Sequence, residues 1–285
     1  MEYSGELNKD VLWKFSGLKN LTIKNCSIEM NQSKIEYIES IKCDSRDFEK
    51  LGEKTLKIDK FIVQGGTIDN DCFDYCDPKS IHSLIIQSSI TKISPKATLK
   101  LNNLSELDCN PKYLDRFKKS PLKHLIVPEG TVELHKTMFD NHQNIEEINL
   151  SSSIKTIEPN TFHGFNSLTK IHCTSEHLER FKNCKKIVSI DLIEGSKEIS
   201  SNHFLSFVNL THIVIPWSIS SIEKDSFKNC DKLVDITCSP EHIQHFKLNK
   251  NHSLFLLEKE QESKEERKER RWKSEEDLKE LQEVK

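Results

Sequence analysis

The chain has 285 residues, 35% of them apolar and 31% charged, with a formal net charge of -3. The apolar share falls below the roughly 45–50% of ordinary globular chains, which argues against one dense core and for an elongated architecture with much surface. The charge gives no electrostatic basis for binding nucleic acid or an anionic membrane, and no apolar run approaches the roughly 20 residues that span a bilayer.

The N-terminal stretch MEYSGELNKDVLWKF lacks a basic segment followed by an apolar one, so no secretory signal is expected. Residues 1–17 read as an N-terminal cap. Beyond them the pattern apolar-x-x-apolar-x-apolar recurs, as in IHSLII, LKHLIV, IEEINL, LTKIHC, IVSIDL, LTHIVI and LVDITC. The alternation in its last three positions is that of a strand with one face turned inward. Strand centres fall at Thr22, Lys42, Ile62, Ile85, Asp108, Ile126, Asn149, His172, Asp191, Val214, Thr237 and Phe255. From Ile62 onward the spacings are 23, 23, 18, 23, 23, 19, 23, 23 and 18 residues. About 12 repeats therefore obey a superperiod of two long units and one short unit. An offset of 65 residues superposes whole blocks without a gap: Ile148 on Ile213, Ile157 on Ile222, Phe162 on Phe227 and Cys173 on Cys238. A unit of 20–29 residues with one short strand is the signature of a leucine-rich repeat.

Each strand needs a return path. In the long units it is a second apolar pair and a phenylalanine, Ile154, Ile157 and Phe162 in SSIKTIEPNTFHGF. In the short units it is a short helix. There Ser175 is the expected N-cap, and Leu178 and Phe181 lie three apart on one face. Pro111 and Pro240 stand where a helix begins.

The stretch LTHIVIPWSISSIEKDSFKNC, Leu210 to Cys230, resembles the BspA-like leucine-rich repeats, and the likeness extends over about Leu18 to Leu257. The resemblance implies protein–protein recognition, and adhesion at the cell surface for some members. The expected fold is a curved leucine-rich-repeat solenoid of α/β type over residues 1–257. Its parallel sheet lines the concave face, and short helices and turns lie on the convex one.

The short unit occurs four times, as SIKCDSRDFEKL, ELDCNPKYLDRF, KIHCTSEHLERF and DITCSPEHIQHF. Its cysteine and histidine invite two chemical readings: a Cys173–His177 nucleophilic pair, or a zinc site from Cys238, His242 and His245. The cysteine stays in all four copies, while the histidine is present in two. The cysteine also occupies the inward column held elsewhere by Leu150, Ile215 and Val127. It therefore reads as a small buried hydrophobe, and no fourth zinc ligand is evident. Cys184 and Cys230 occupy the turn column of Phe165 and also read as packing. With no glycine-rich phosphate loop, GxSxG or HExxH in the chain, no enzyme, metal or cofactor is expected.

The candidate site is the outward column of the strands, Ile62, Ile85, Asp108, Ile126, Asn149, His172, Asp191, Val214 and Thr237. An exposed row of branched aliphatics alternating with polar residues is a candidate protein-binding patch; the alternative reading is that Ile and Val stand there for strand propensity alone. The chain then ends in EKEQESKEERKERRWKSEEDLKELQEVK, with 20 charged residues in 28. Opposite charges three or four apart there support a solvated helix over 258–285.

The function expected is that of a monomeric, non-enzymatic scaffold that binds a protein partner on the concave face. Two alternatives are a surface adhesion protein and a regulatory subunit that recruits an enzyme through its tail. Nine cysteines without a CxxC suit reduced thiols and a cytoplasmic location, with the cell surface by a non-classical route as the alternative. Seven Asn-x-Ser/Thr sequons, at Asn20, Asn25, Asn31, Asn103, Asn149, Asn209 and Asn251, are then expected to stay unglycosylated.

Overall fold

The computed structural model describes residues 2–3, 18–23, 35–51, 56–246 and 252–257. The expected helix over 258–285 lies outside the described residues. Two compact units divide at Ile148 and Asn149.

In the first unit the strands Glu2–Tyr3, Asn20–Ile23, Tyr37–Cys43, Lys57–Val63, Ser83–Ile86, Glu106–Asp108 and His124–Ile126 lie side by side in chain order. In the second, Lys170–Cys173, Ser189–Leu192, His212–Val214, Asp235–Cys238 and Ser253–Leu256 do the same. The pairings in both are parallel, the consequence of each chain return bringing the next strand in with the same direction. This is a leucine-rich-repeat solenoid. The register repeats the sequence spacing: Lys42 pairs with Ile62, Ile62 with Ile85, Ile85 with Asp108 and Asp108 with Ile126. In the second unit His172 pairs with Asp191, Asp191 with Val214, Val214 with Thr237 and Thr237 with Phe255. Each strand turns its alternate residues inward. Phe61, Val63, Leu84, Ile86, Leu107 and Leu125 are buried in the first unit, and Ile171, Cys173, Ile190, Ile213, Ile236 and Cys238 in the second.

Three features go beyond the sequence reading. Within the residues read as cap, Glu2–Tyr3 forms a strand with Glu2 opposite Thr22. The returns of the short units are 3-10 helices, at Ser45–Leu51, Pro111–Phe117, Ser175–Phe181 and Pro240–His245. Three residues per turn brings Leu178 and Phe181 onto one buried edge. Pro111 and Pro240 do stand in the first turn, but Thr174 rather than Ser175 is the cap residue, and its side chain makes no capping bond. Ser175 is instead fully buried, its N–H donating to Ser196 Oγ at 3.1 Å. Finally, apolar pairs of the long units form ladders of their own: Gly66–Ile68 with Ile90–Ile93, and Glu198–Ile199 with Ser221–Ile222.

The superperiod also shows in the backbone. Asn160 and Asp225, 65 residues apart, are the two non-glycine residues with positive φ, 64° and 63°, among the described residues. Short polar side chains tolerate that conformation best. Gly66, at φ 88°, has no such latitude, because an added Cβ would collide with Ser45 Oγ.

Candidate protein-binding face

The cysteine column is core. Cys43, Cys109, Cys173 and Cys238 have no exposed surface. Burial pushes the Cys173 thiol well above its ordinary range and that of Cys238 up to about 12, the reverse of what a nucleophile requires. The histidines are engaged elsewhere. His177 Nε2 donates to the Ile154 carbonyl at 2.9 Å, and His242 Nε2 to that of Ile219 at 3.1 Å, each acceptor 23 residues back. A carbonyl only accepts, so Nε2 carries the proton. In the first unit His142 makes the same bond to Leu114 at 3.0 Å. These rings tie one repeat to the one before it. Among the described residues, no group of three or more His, Cys, Asp or Glu could hold a metal ion.

Core placement of the cysteines has two expected outcomes. Cys173→Ser should lose about 1–3 kcal/mol through burial of a hydroxyl, read from denaturant unfolding. A thiol reagent on the native protein should modify half-buried Cys72 before any of Cys43, Cys109, Cys173 or Cys238; prompt labelling of Cys173 would contradict a core role. For His142, burial lowers the pKa, opposed by its bond to Leu114. The unfolded chain therefore binds a proton at higher pH than the folded one. Stability present above the ordinary value of about 6.5 is lost as pH falls toward the folded pKa. The urea midpoint should drop between about pH 7 and about pH 5, and His142→Gln should flatten that slope.

All nine residues of the candidate column are half-buried, and Phe255 beyond them is exposed. The two units carry the column differently. In the second, Asp191 gathers its neighbours: Lys170 Nζ at 3.3 Å, His172 Nδ1 at 3.2 Å and His212 Nε2 at 3.4 Å. Its side chain is only 17% exposed. Three strands are thereby cross-linked through one carboxylate. Asn149, Val214 and Thr237 complete this stretch.

The first unit is arranged otherwise. Ile62 and Ile85 are direct cross-strand neighbours. Lys42 precedes them in the same row and Asp108 comes after. A second row, two residues back along each strand, reads Lys60, Ser83, Glu106 and His124. Ser83 Oγ donates to Glu106 at 3.2 Å, and His124 Nδ1 meets Glu147 at 3.1 Å. Burial first, and then Glu106, hold the Asp108 carboxyl above the usual carboxylate range, with Lys60 opposing. Lys60 and Glu106 belong to this face and were not in the sequence-derived column; Lys42 was read as a strand centre but not as a candidate residue. The period of two that identified Ile62 and Asp108 also marks Lys60 and Glu106.

A BspA type leucine rich repeat family model matches the chain in six copies, over residues 18–116, 113–180 and 177–249. No curated protein sequence matches it. Among solved structures, a chain of the Toll–Spatzle complex of Drosophila is similar with a TM-score of 0.54 and 17% identity, over 68% of this chain. The likeness spans only 29% of that longer chain, so what is shared is the fold. An internalin from Listeria monocytogenes aligns over 85% of this chain and 74% of its own, at 13% identity and a TM-score of 0.44.

Proposed function

Because the chain belongs to the BspA-type leucine-rich repeat family, we propose that it is a non-enzymatic scaffold, binding a protein partner on the outward sheet face of the first unit around Ile62 and Ile85. Repeat proteins of this architecture generally serve protein–protein recognition. The observation that carries the choice of face is the adjacent, half-buried pair Ile62–Ile85, set between Lys42 on one neighbouring strand and Asp108 on the other. Burying such a pair under a partner releases water from aliphatic surface, and the charges around it supply specificity. The second-unit cluster around Asp191 is better suited to holding strands together. The eight described cysteines are all free thiols, which favours a cytoplasmic setting. A monomer acting there, without nucleic acid, membrane or cofactor, is the economical form of this reading.

The test is affinity capture from the native cell, with partners identified and their Kd measured. A partner of this face should bind Ile85→Asp about 30-fold more weakly, as for a central contact, and bind Lys96→Glu, exposed in the turn that follows strand Ile90–Ile93, unchanged. Capture that survives Ile85→Asp would place recognition elsewhere.

A further inference from the structure

The order of chemistry across the first unit's sheet specifies a kind of partner. Crossing the strands in one row, the face runs Lys42, Ile62, Ile85, Asp108. The row beside it repeats the sense of the gradient, from Lys60 through Ser83 to Glu106. Lys42 thus lies one strand before the aliphatic pair, Lys60 stands beside Ile62 on its own strand, and both acids lie one strand after the pair. Among the described residues, Lys42, Lys60 and Asp108 form no ion pair; Glu106 is bonded to a neutral hydroxyl.

Resting on the reading that this face binds a protein, we propose that its occupant is an amphipathic α-helix of the partner. The helix lies across the strands, with a carboxylate over Lys42 and Lys60, two aliphatic side chains over Ile62 and Ile85, and a cation over Glu106 and Asp108. The spacing favours a helix over an extended segment. Neighbouring strands are about 4.8 Å apart, so Lys42 to Asp108 covers about 14 Å. On a helix, residues i, i+3, i+7 and i+10 form one stripe, and at about 1.5 Å per residue they span about 15 Å in steps near 5 Å. Four side chains of one helix stripe thus meet four successive strands. A strand laid the same way advances about 6.6 Å between residues of one face and falls out of step by the third. An acidic residue toward the N-terminus and a basic one toward the C-terminus also suit a helix's own dipole, so the expected N-to-C order is Glu, Leu, Leu, Lys. Asp108, held above the usual carboxylate range by burial and by Glu106, gains most from an arriving cation.

The test uses a displayed library of helical peptides in which positions i, i+3, i+7 and i+10 are each drawn from Glu, Leu, Lys and Ser. The folded protein should enrich Glu–Leu–Leu–Lys. Since a helix can turn end for end, the decisive comparison makes the two ends alike. Lys42→Glu with Lys60→Glu should select Lys–Leu–Leu–Lys, and Glu106→Lys with Asp108→Lys should select Glu–Leu–Leu–Glu. Each selected peptide should bind its own face about tenfold or more tightly than the other two. The single changes Lys60→Glu and Asp108→Asn, which perturb folding least, should shift the preference in the same sense; a cooperative melt verifies each variant. Peptides that need Ile85 but show no charge order, or that bind in extended form, would overturn the helix inference and leave the face as a binding site. Enrichment indifferent to Ile85→Asp, or no enrichment at all, would also overturn it. The captured native partner's response to Ile85→Asp then decides separately whether the face binds protein.

Discussion

Ile86→Asp is expected to abolish folding of the first unit, while Ile85→Asp, one residue earlier on the same strand, leaves it nearly intact. Ile86 is 2% exposed and sits opposite Val63 in the inward row. A carboxylate there must ionise without a partner or stay protonated at a large pKa cost. Either route removes about 4 kcal/mol or more, a large fraction of a typical domain's stability. Ile85 points the other way, between Ile62 and Asp108. Its replacement loses a half-buried aliphatic and places a second acid beside Asp108, for a total of about 1 kcal/mol. Urea unfolding monitored by circular dichroism separates the two. Equal losses would mean that the two faces of this strand are assigned the wrong way round, and with them the binding face.

Much of this fold was legible because in a parallel solenoid the sequence offset is the strand register. Counting 23 residues from Ile62 reaches Ile85, and the backbone sets these two side by side. The same logic placed Cys173 and Cys238 in the core, since they share a column with Leu150 and Ile215. Some of the strands that escaped were too short to carry a period. Glu2–Tyr3 and Glu198–Ile199 are strands of two residues each, and two residues cannot show alternation. The His177 and His242 bonds were hidden for a different reason. A histidine present in half the copies looks dispensable, yet its partner is a backbone carbonyl that every copy possesses. The cluster on Asp191 draws on three strands, and its members, Lys170, His172 and His212, look unrelated along the chain until the register aligns them. The binding face was seen only as its central column. Lys60 and Glu106 change its meaning from a row of aliphatics to a graded surface with direction.

Phe181→Ala should show how stability is distributed in the second unit. Phe181 is wholly buried, and its ring stacks on that of Phe162 with centroids 4.4 Å apart and planes 3° from parallel. Phe162 in turn touches Phe165 at 5.5 Å. Removing the ring leaves a cavity bounded by consecutive repeats, for a loss of about 3–5 kcal/mol. The stack itself adds about 1 kcal/mol, which a double-mutant cycle with Phe162→Ala isolates. Phe246 occupies the same column one superperiod later, stacked on Phe227 at 4.6 Å, and is 8% exposed. Phe246→Ala should therefore cost less, about 2–3 kcal/mol. Because each repeat buries its edge against its neighbours, the damage should be local. Amide exchange should accelerate first in the strands Lys170–Cys173 and Ser189–Leu192. Protection should fall less around Phe48, Phe61 and Phe73, which form a separate aromatic cluster in the first unit. Uniform loss of protection across both units would mean that the chain unfolds as one cooperative body, and that the nearest-neighbour account of its stability is wrong.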